Sequence, residues 1–266
     1  MNNRFYFFYI LLGAQLTLGG CAMTTPESDE LVRIREVKSV NQKTTSMTGL
    51  RYTALRDSAL SLGARGGLAW QASRINTQTE RQTRNLDRIF NFHAMMMAQH
   101  VLPPILIEGR QTLAQTSHDN LRIADRAYTI IHQARFVTMP PTWRDYLWLN
   151  FGRPELPDQS LMPRDASEKK VWNKYIQEGW QAGIIQANTI FAESLGRLKR
   201  DYQGIIRYHA LYAQGMVSAP FVAKMELGIT GDNQEMAVND RVLRITALPT
   251  FEHDSQHWNT EITPTE

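Results

Sequence analysis

The chain's one cysteine, Cys21, stands directly behind Gly19-Gly20 and an apolar, aromatic run, Phe5 to Leu18, that follows a single early charge at Arg4. A lone thiol makes no internal disulfide, so its chemistry is that of a nucleophile or a small hydrophobe. The charged start and short apolar run have the order of a secretory leader, and a bilayer span would need roughly 20 apolar residues. Leu18-Gly19-Gly20-Cys21 looks like a bacterial lipobox. The small residues at Gly19 and Gly20 fit a narrow peptidase site, and the Cys21 sulfur takes up a diacylglyceryl group. The residues after it turn at once to Thr, Pro, Ser and carboxylates, which suits an extended tether. Ala22 is not the aspartate associated with inner-membrane retention, so the outer membrane is the expected address.

Two further groups invite a chemical reading. His253-x-x-x-His257 has a metal-like helical spacing, but no Glu follows His253 and the segment is polar, so two solvated histidines are expected. His93 and His100 lie about 10 Å apart along a helix, too far for one ion, and read as core-edge residues. "AESLG" (192–196) resembles the Glu-Ser start of lytic transglycosylases, in which a glutamic acid in an apolar cleft protonates a glycosidic oxygen. "GARGGLAWQ" (63–71) resembles a second element of that family, in reversed order. This makes a peptidoglycan-cleaving enzyme using Glu193 the alternative function. A surface ion pair of Glu193 with Arg197 at i+4 is the ordinary reading. There is no G-x-S-x-G, P-loop or G-x-G-x-x-G, and no catalytic residue, metal site or cofactor is assigned.

The elements that carry these residues read as α+β, mainly α. Residues 1–20 are expected to be a signal peptide and 21–48 a lipidated flexible tether, with a transient helix at Leu31–Val40. Residues 49–250 are expected to form a single, mainly helical periplasmic domain, and 251–266 a frayed polar tail. Leu55, Ala59, Leu62, Gly66 and Ala69 recur at helical spacing, and the face returns at Leu86, Ile89, Phe90 and His93 after the polar run "NTQTERQTRN" (76–85). Gly66-Gly67 reads as the weak point of that helix, and Pro103-Pro104 as its stop. "NLRIADRAYTI" (120–130) reads as a strand with an irregularity at Asp125-Arg126.

Thr142-x-x-Asp145 and Asp165-x-x-Glu168 have capping-box spacing. The second opens a run whose buried face is marked by Trp172, Ile176, Gly183, Ala187, Ile190, Ser194, Leu198, Tyr202 and Ile205. Continued over 166–214 it would be roughly 70 Å long, so a break is expected at Gly196 or Gly204. Gly179-x-x-x-Gly183 permits close helix approach. Glu235–Val238 and Arg241–Thr246 read as a hairpin turning at Asn239-Asp240, and "DRVLRI" there echoes "DRAYTI" at 125–130, as neighbouring strands of one sheet would.

Charge argues weakly against a nucleic-acid groove: the formal balance is only +3, with no block of five or six like charges, so no direct nucleic-acid contact is expected. Six tryptophans and 11 methionines suit contact-forming patches. Trp143, Tyr146 and Trp148, dense beside Pro140-Pro141, are expected to share a short helix and to give at least one partner contact.

"GLAWQA" (67–72), "RNLDRIFNF" (84–92), "LPPILIEGR" (102–110), "PPTWRDYLW" (140–148), "GWQAGIIQANTI" (179–190) and "DRVLRITALP" (240–249) resemble the DotC/TraI family of lipoproteins. That family belongs to type IVB secretion systems and the related IncI-type conjugative transfer machines, and its TraI is unrelated to the relaxase of the same name. The resemblance covers roughly 50 to 250, although this chain ends soon after Trp258, short of the family's pattern. It implies a non-enzymatic core-complex component, palmitate-bearing at Cys21, on the periplasmic face of the outer membrane. Its implied partners are a DotD-type lipoprotein and a DotH-type outer-membrane core protein.

Overall fold

The computed structural model describes residues 29–38, 49–117 and 119–259. Its helices are α1 (Asp29–Arg35), α2 (Gly49–Arg81), α3 (Thr83–Ile89), α4 (Trp143–Leu147) and α5 (Ala166–Ala213). The strands are β1 (Val101–Leu102), β2 (Ile105–Ser117), β3 (Asn120–His132), β4 (Arg135–Phe136), β5 (Phe221–Gly231) and β6 (Met236–Ala247). They form three separate two-stranded antiparallel sheets, β1–β4, β2–β3 and β5–β6, so the class is α+β with helix predominating. The chain packs as two compact units: described residues up to Gln71 with Phe151–Ala187, and Ala72–Asn150 with the described residues from Asn188.

In the first unit α2 and α5 cross with backbone against backbone. A Cβ added at Gly63 would fall on the Ile176 carbonyl oxygen, and one at Gly67 on that of Trp180. From the other side, Gly179 faces the Leu60 carbonyl and Gly183 the Ala64 carbonyl and Leu68 nitrogen. The Gly179/Gly183 pair approaches closely, as its spacing implies. The cost of helical glycine, about 1 kcal/mol each, is offset here by the contact that only glycine permits, so Gly66-Gly67 is a packing site and the helix runs through it.

Beside the crossing lie Leu55, Ala59, Leu62, Trp172, Ile176 and Trp180. The segment expected to be free tether contributes to this core. Leu31 and Ile34, three apart on α1, are buried against it, and Trp172 Nε1 donates to the Ile34 carbonyl at 2.9 Å. Glu30 accepts from Arg33 at 2.7 Å and from Arg153 at 2.6 Å, which ties α1 to the loop before α5. A flexible 21–48 is therefore corrected for residues 29–38: two apolar side chains at helical spacing are enough to dock that turn. Residues 21–28 and 39–48 lie outside the described residues.

The start of α5 is capped as its spacing implies, Asp165 accepting from the Glu168 nitrogen at 2.8 Å. The Glu168 carboxylate does not return the bond to Asp165. It is buried and takes Arg51 at 2.9 and 3.0 Å and Arg164 at 2.7 Å, with a further bond from the Arg164 backbone nitrogen at 2.9 Å. Arg51 also donates to the Met162 carbonyl at 2.7 Å, so one guanidinium joins α2 to the loop preceding α5.

The second unit gathers α3, α4, the hairpins and the later part of α5. The break expected at Gly196 or Gly204 is absent, and α5 runs unbroken for 48 residues. The length argument assumed one core, whereas this helix serves two packing units. Gly196 faces open space, and Gly204 lets the Leu106 backbone lie against the helix. Phe90 and Phe92 meet the Tyr202 ring edge-on at 5.4 and 5.2 Å. The polar run near 76–85 is partly used inside the unit: Asn76 both donates to the Leu149 carbonyl (2.9 Å) and accepts from its nitrogen (3.1 Å), and α2 gives way to α3 at Gln82.

The hairpins differ from expectation in three ways. β2 follows Pro104 directly and pairs with β3, and the irregularity lies on β2 at Gln111 (φ 48°), between the Arg110–Arg126 and Thr112–Ala124 pairs, without a register shift at Asp125-Arg126. "DRAYTI" and "DRVLRI" sit in different sheets. The second hairpin turns at 232–235, where Asp232 accepts from the nitrogens of Gln234 and Glu235 at 2.8 and 3.0 Å, an Asx turn. Asn239 (φ 60°) instead marks an irregularity within β6, opposite Gly228 (φ 77°), where the register shifts.

The tail is not frayed through 259. Phe251 bridges to Val217, and the Asn259 nitrogen donates to the Gln214 carbonyl at 2.8 Å.

Two stability measurements follow from this packing. Gly183→Val should lower the midpoint of thermal unfolding by the equivalent of about 1–3 kcal/mol, whereas Gly196→Ala should raise it by up to about 1 kcal/mol. Equal effects would contradict the crossing. The arginine bonds hold the Glu168 carboxyl at about 2, below its ordinary 4.5, even though burial alone would raise it. A lowered folded value means that its stabilisation is complete above pH 4.5 and is lost as pH falls toward 2. Glu168→Gln should therefore cost on the order of 3 kcal/mol at pH 7 by urea titration, with the gap to the native chain closing through that acid window. A gap that does not change with pH would refute the assignment.

Candidate functional site

The short helix α4 holds the expected aromatic group. Its N-terminus is set by Thr142, whose nitrogen donates to Asp145 Oδ2 at 2.6 Å in the capping geometry that the spacing implies. Pro141 before it cannot supply an amide donor, which fits a helix beginning two residues later. The three aromatics then take different roles. Trp143 is buried, donates Nε1 to Asp87 Oδ1 at 2.6 Å, and carries the Arg144 guanidinium 4.2 Å over its ring. Tyr146 stacks on Phe92 at 6.0 Å and donates its hydroxyl to Asp201 at 3.1 Å. Trp148, just past the helix, is 46% exposed. Of the three, Trp143 is committed to the interior, and Trp148 presents a ring that a partner can reach.

Beside Tyr146 a small pocket opens, lined by Phe92, Leu102, Pro141, Tyr146, Asp201 and Ile205 among others. It contains an acid and a phenol, so it merits a test as a reaction site. Burial, reinforced by the charge of Asp201, pushes the Tyr146 hydroxyl well above its ordinary value and makes it a poor proton donor to a substrate. Asp201 is held by Arg200 at 2.6 Å as well as by Tyr146. Donor and acceptor satisfy each other, and the pair joins α4 to α5.

The other sequence candidates do not converge. Glu193 lies on the exposed face of α5, outside any apolar cleft. Its expected ion-pair partner, Arg197, donates to Ser194 Oγ at 3.1 Å. His93 and His100 are exposed rather than at the core edge. His257 lies 3.5 Å from Glu252, on a single turn of 3₁₀ helix at Ser255–His257. Among the described residues no group of three or more His, Cys, Asp or Glu is placed to hold a metal, and no helix is long and apolar enough to cross a membrane. Cys21 and its flank Leu18, Gly19 and Gly20 lie outside the described residues.

What sequence reasoning did not find is the surface of the two long hairpins. No residue of β5 or β6 is buried, and Phe221, Met225, Ile229, Met236 and Val238 are between 57% and 71% exposed. On β2–β3, Leu113 and Ile123 form a cross-strand pair at 66% and 67% exposure, with Leu121 on the same face. Alternation marks such residues as strand, and an alternating strand is normally assigned one buried face. Nothing in the pattern tells that, among the described residues, β5–β6 and the outer part of β2–β3 bury neither face.

A family model described as type IV secretory system, conjugal DNA-protein transfer, matches residues 49–260, beginning at the start of α2. No curated protein matches the chain.

The division of roles on α4 is measurable. Trp143→Ala should destabilise the chain by about 3–5 kcal/mol, and Trp148→Ala by about 0.5 kcal/mol or less, in parallel thermal melts. Comparable losses would show that Trp148 is also a core residue.

Proposed function

The chain belongs to the TraI family of type IV secretory-system components that serve conjugal DNA-protein transfer, and from that membership we propose that it is an outer-membrane lipoprotein of the core complex. In this reading Cys21 carries a diacylglyceryl group and an amide-linked chain such as palmitate. The body lies on the periplasmic face and, beside a DotD-type lipoprotein, helps to place a DotH-type protein at the outer membrane. The observation that carries it is the family match over residues 49–260, joined to the Leu18-Gly19-Gly20-Cys21 pattern ahead of it.

The physics of the anchor supports the reading. Each buried methylene contributes roughly 0.8 kcal/mol, and one chain holds marginally while two or three hold firmly. Docking of α1 adds a constraint. Only residues 22–28 separate Cys21 from Asp29, and a fully extended chain over that interval reaches at most about 29 Å. The first unit is thereby kept near the bilayer, a suitable place from which to hold a partner against the membrane. The role asks nothing of Glu193, which is exposed, and the enzyme alternative gains no support.

The test is mass spectrometry of the native chain extracted with detergent from envelopes, with identification of the proteins that accompany it. The expected result is a mature N-terminus at an acylated Cys21, with DotD-type and DotH-type proteins co-purifying. A bare Cys21 with residues 1–20 still attached would overturn the lipoprotein reading, and an acylated chain that brings neither partner would overturn the placement role.

A further inference from the structure

The small pocket beside Tyr146 has the parts of a binding site rather than of a reaction site. Its walls are apolar: Phe92, Leu102, Ile105, Pro141 and Ile205 converge on it from the segment after α3, from β1 and β2, from the approach to α4 and from α5. The space they enclose is about 90 Å³. A cavity near 150 Å³ admits a benzene ring, so this one takes a branched aliphatic group and turns an aromatic ring away.

The polar groups on its lining are unequally engaged. Asp201 is buried and held at both oxygens, Oδ1 by Arg200 at 2.6 Å and Oδ2 by the Tyr146 hydroxyl at 3.1 Å. Arg135, opposite Leu102 on β4, lines the same cavity, and among the described residues no hydrogen bond or ion pair holds its guanidinium. It lies near enough to act on the Tyr146 hydroxyl, where its charge works against that of Asp201. With Arg200 answering Asp201, the Arg135 guanidinium is the unmatched charge on the lining. Gln133 is also there. Its Nε2 donates to the Pro249 carbonyl at 3.4 Å, which leaves Oε1 to accept from a ligand.

An aliphatic seat, an unmatched guanidinium and an amide acceptor together describe one chemical group. In a peptide, the C-terminal residue alone sets a carboxylate, an aliphatic side chain and an amide N–H around a single carbon. We propose that this cavity binds the C-terminus of a partner protein that ends in a small aliphatic residue such as valine. The side chain enters between Leu102, Ile105 and Ile205, the carboxylate meets Arg135, and the last amide N–H donates to Gln133 Oε1. Guanidinium and carboxylate match as a planar two-point pair, which fixes direction as well as charge. A free short-chain acid satisfies the walls and Arg135 but gives Gln133 nothing. The inference rests on this cavity alone and holds whether or not Cys21 is acylated.

The test is calorimetric titration of the full-length chain, purified in detergent, with N-acetylvaline as the model of a peptide end. It should bind about tenfold or more tighter than N-acetylvalinamide, which lacks the charged partner for Arg135, and about threefold or more tighter than isovalerate, which lacks the N–H. N-acetylphenylalanine should not compete. Arg135→Gln should weaken N-acetylvaline by about tenfold and leave N-acetylvalinamide unchanged, a split that a merely structural role of Arg135 would not produce. The ligand comparisons use the native chain and decide the matter even if the variant fails to fold. No binding of N-acetylvaline, equal affinity for the amide, for isovalerate or for the phenylalanine compound, or a folded Arg135→Gln chain of unchanged affinity would each overturn the proposal.

Discussion

The contact on which the first unit depends is the crossing of α2 and α5, where Gly63 and Gly67 lie against the Ile176 and Trp180 carbonyls, and Gly179 and Gly183 against those of Leu60 and Ala64, with no room for a Cβ at any of the four. Everything beside the crossing is set by that separation. Trp172 and Trp180 share one buried cluster with Ile34 of α1, whose carbonyl accepts from Trp172 Nε1. The Arg51–Glu168–Arg164 group then fixes how far α2 can slide along α5, because a buried carboxylate shared by two guanidiniums tolerates little displacement. Apolar contact supplies the driving force, while the glycines and the ion group supply the register.

In the second unit the constraint is different. There Phe90 and Phe92, just after α3, pack edge-on against Tyr202 of α5, Tyr146 of α4 donates a hydrogen bond to Asp201 of α5, and the base of the β2–β3 hairpin is pinned where Gly204 admits the Leu106 backbone. Polar bonds such as Trp143 to Asp87 and Asn76 to Leu149 satisfy groups that this packing buries. The second unit thus has aromatic junctions inside, with the ribbons and Trp148 exposed outside.

Much of the interior was legible in the sequence because period and spacing are local. The α5 face from Trp172 to Ile205 followed from helical recurrence, and both capping residues from their i+3 carboxylates. What escaped was non-local. No spacing rule says that Glu168 will turn from its cap to Arg51, 117 positions away. Nor does one say that Leu31 and Ile34 will find a core, or that Asn239-Asp240 is an irregularity where the true turn is an Asx turn at Asp232. The 48-residue helix was misjudged for a related reason: its length was weighed against one core when it passes through two. Of the candidate functional residues, Cys21 and its leader-like motif lie outside the described residues, whereas the exposure of the ribbons is a property of tertiary packing that alternation does not encode.

The central claim is that acyl chains on one sulfur hold this body at the outer membrane so that it can hold others there. Its most direct measurement is density-gradient separation of inner and outer membranes from cells carrying either the native chain or Cys21→Ser. The account predicts that the DotH-type protein travels with the outer membrane in the first and leaves that fraction in the second. A DotH-type protein distributed identically in both would contradict it.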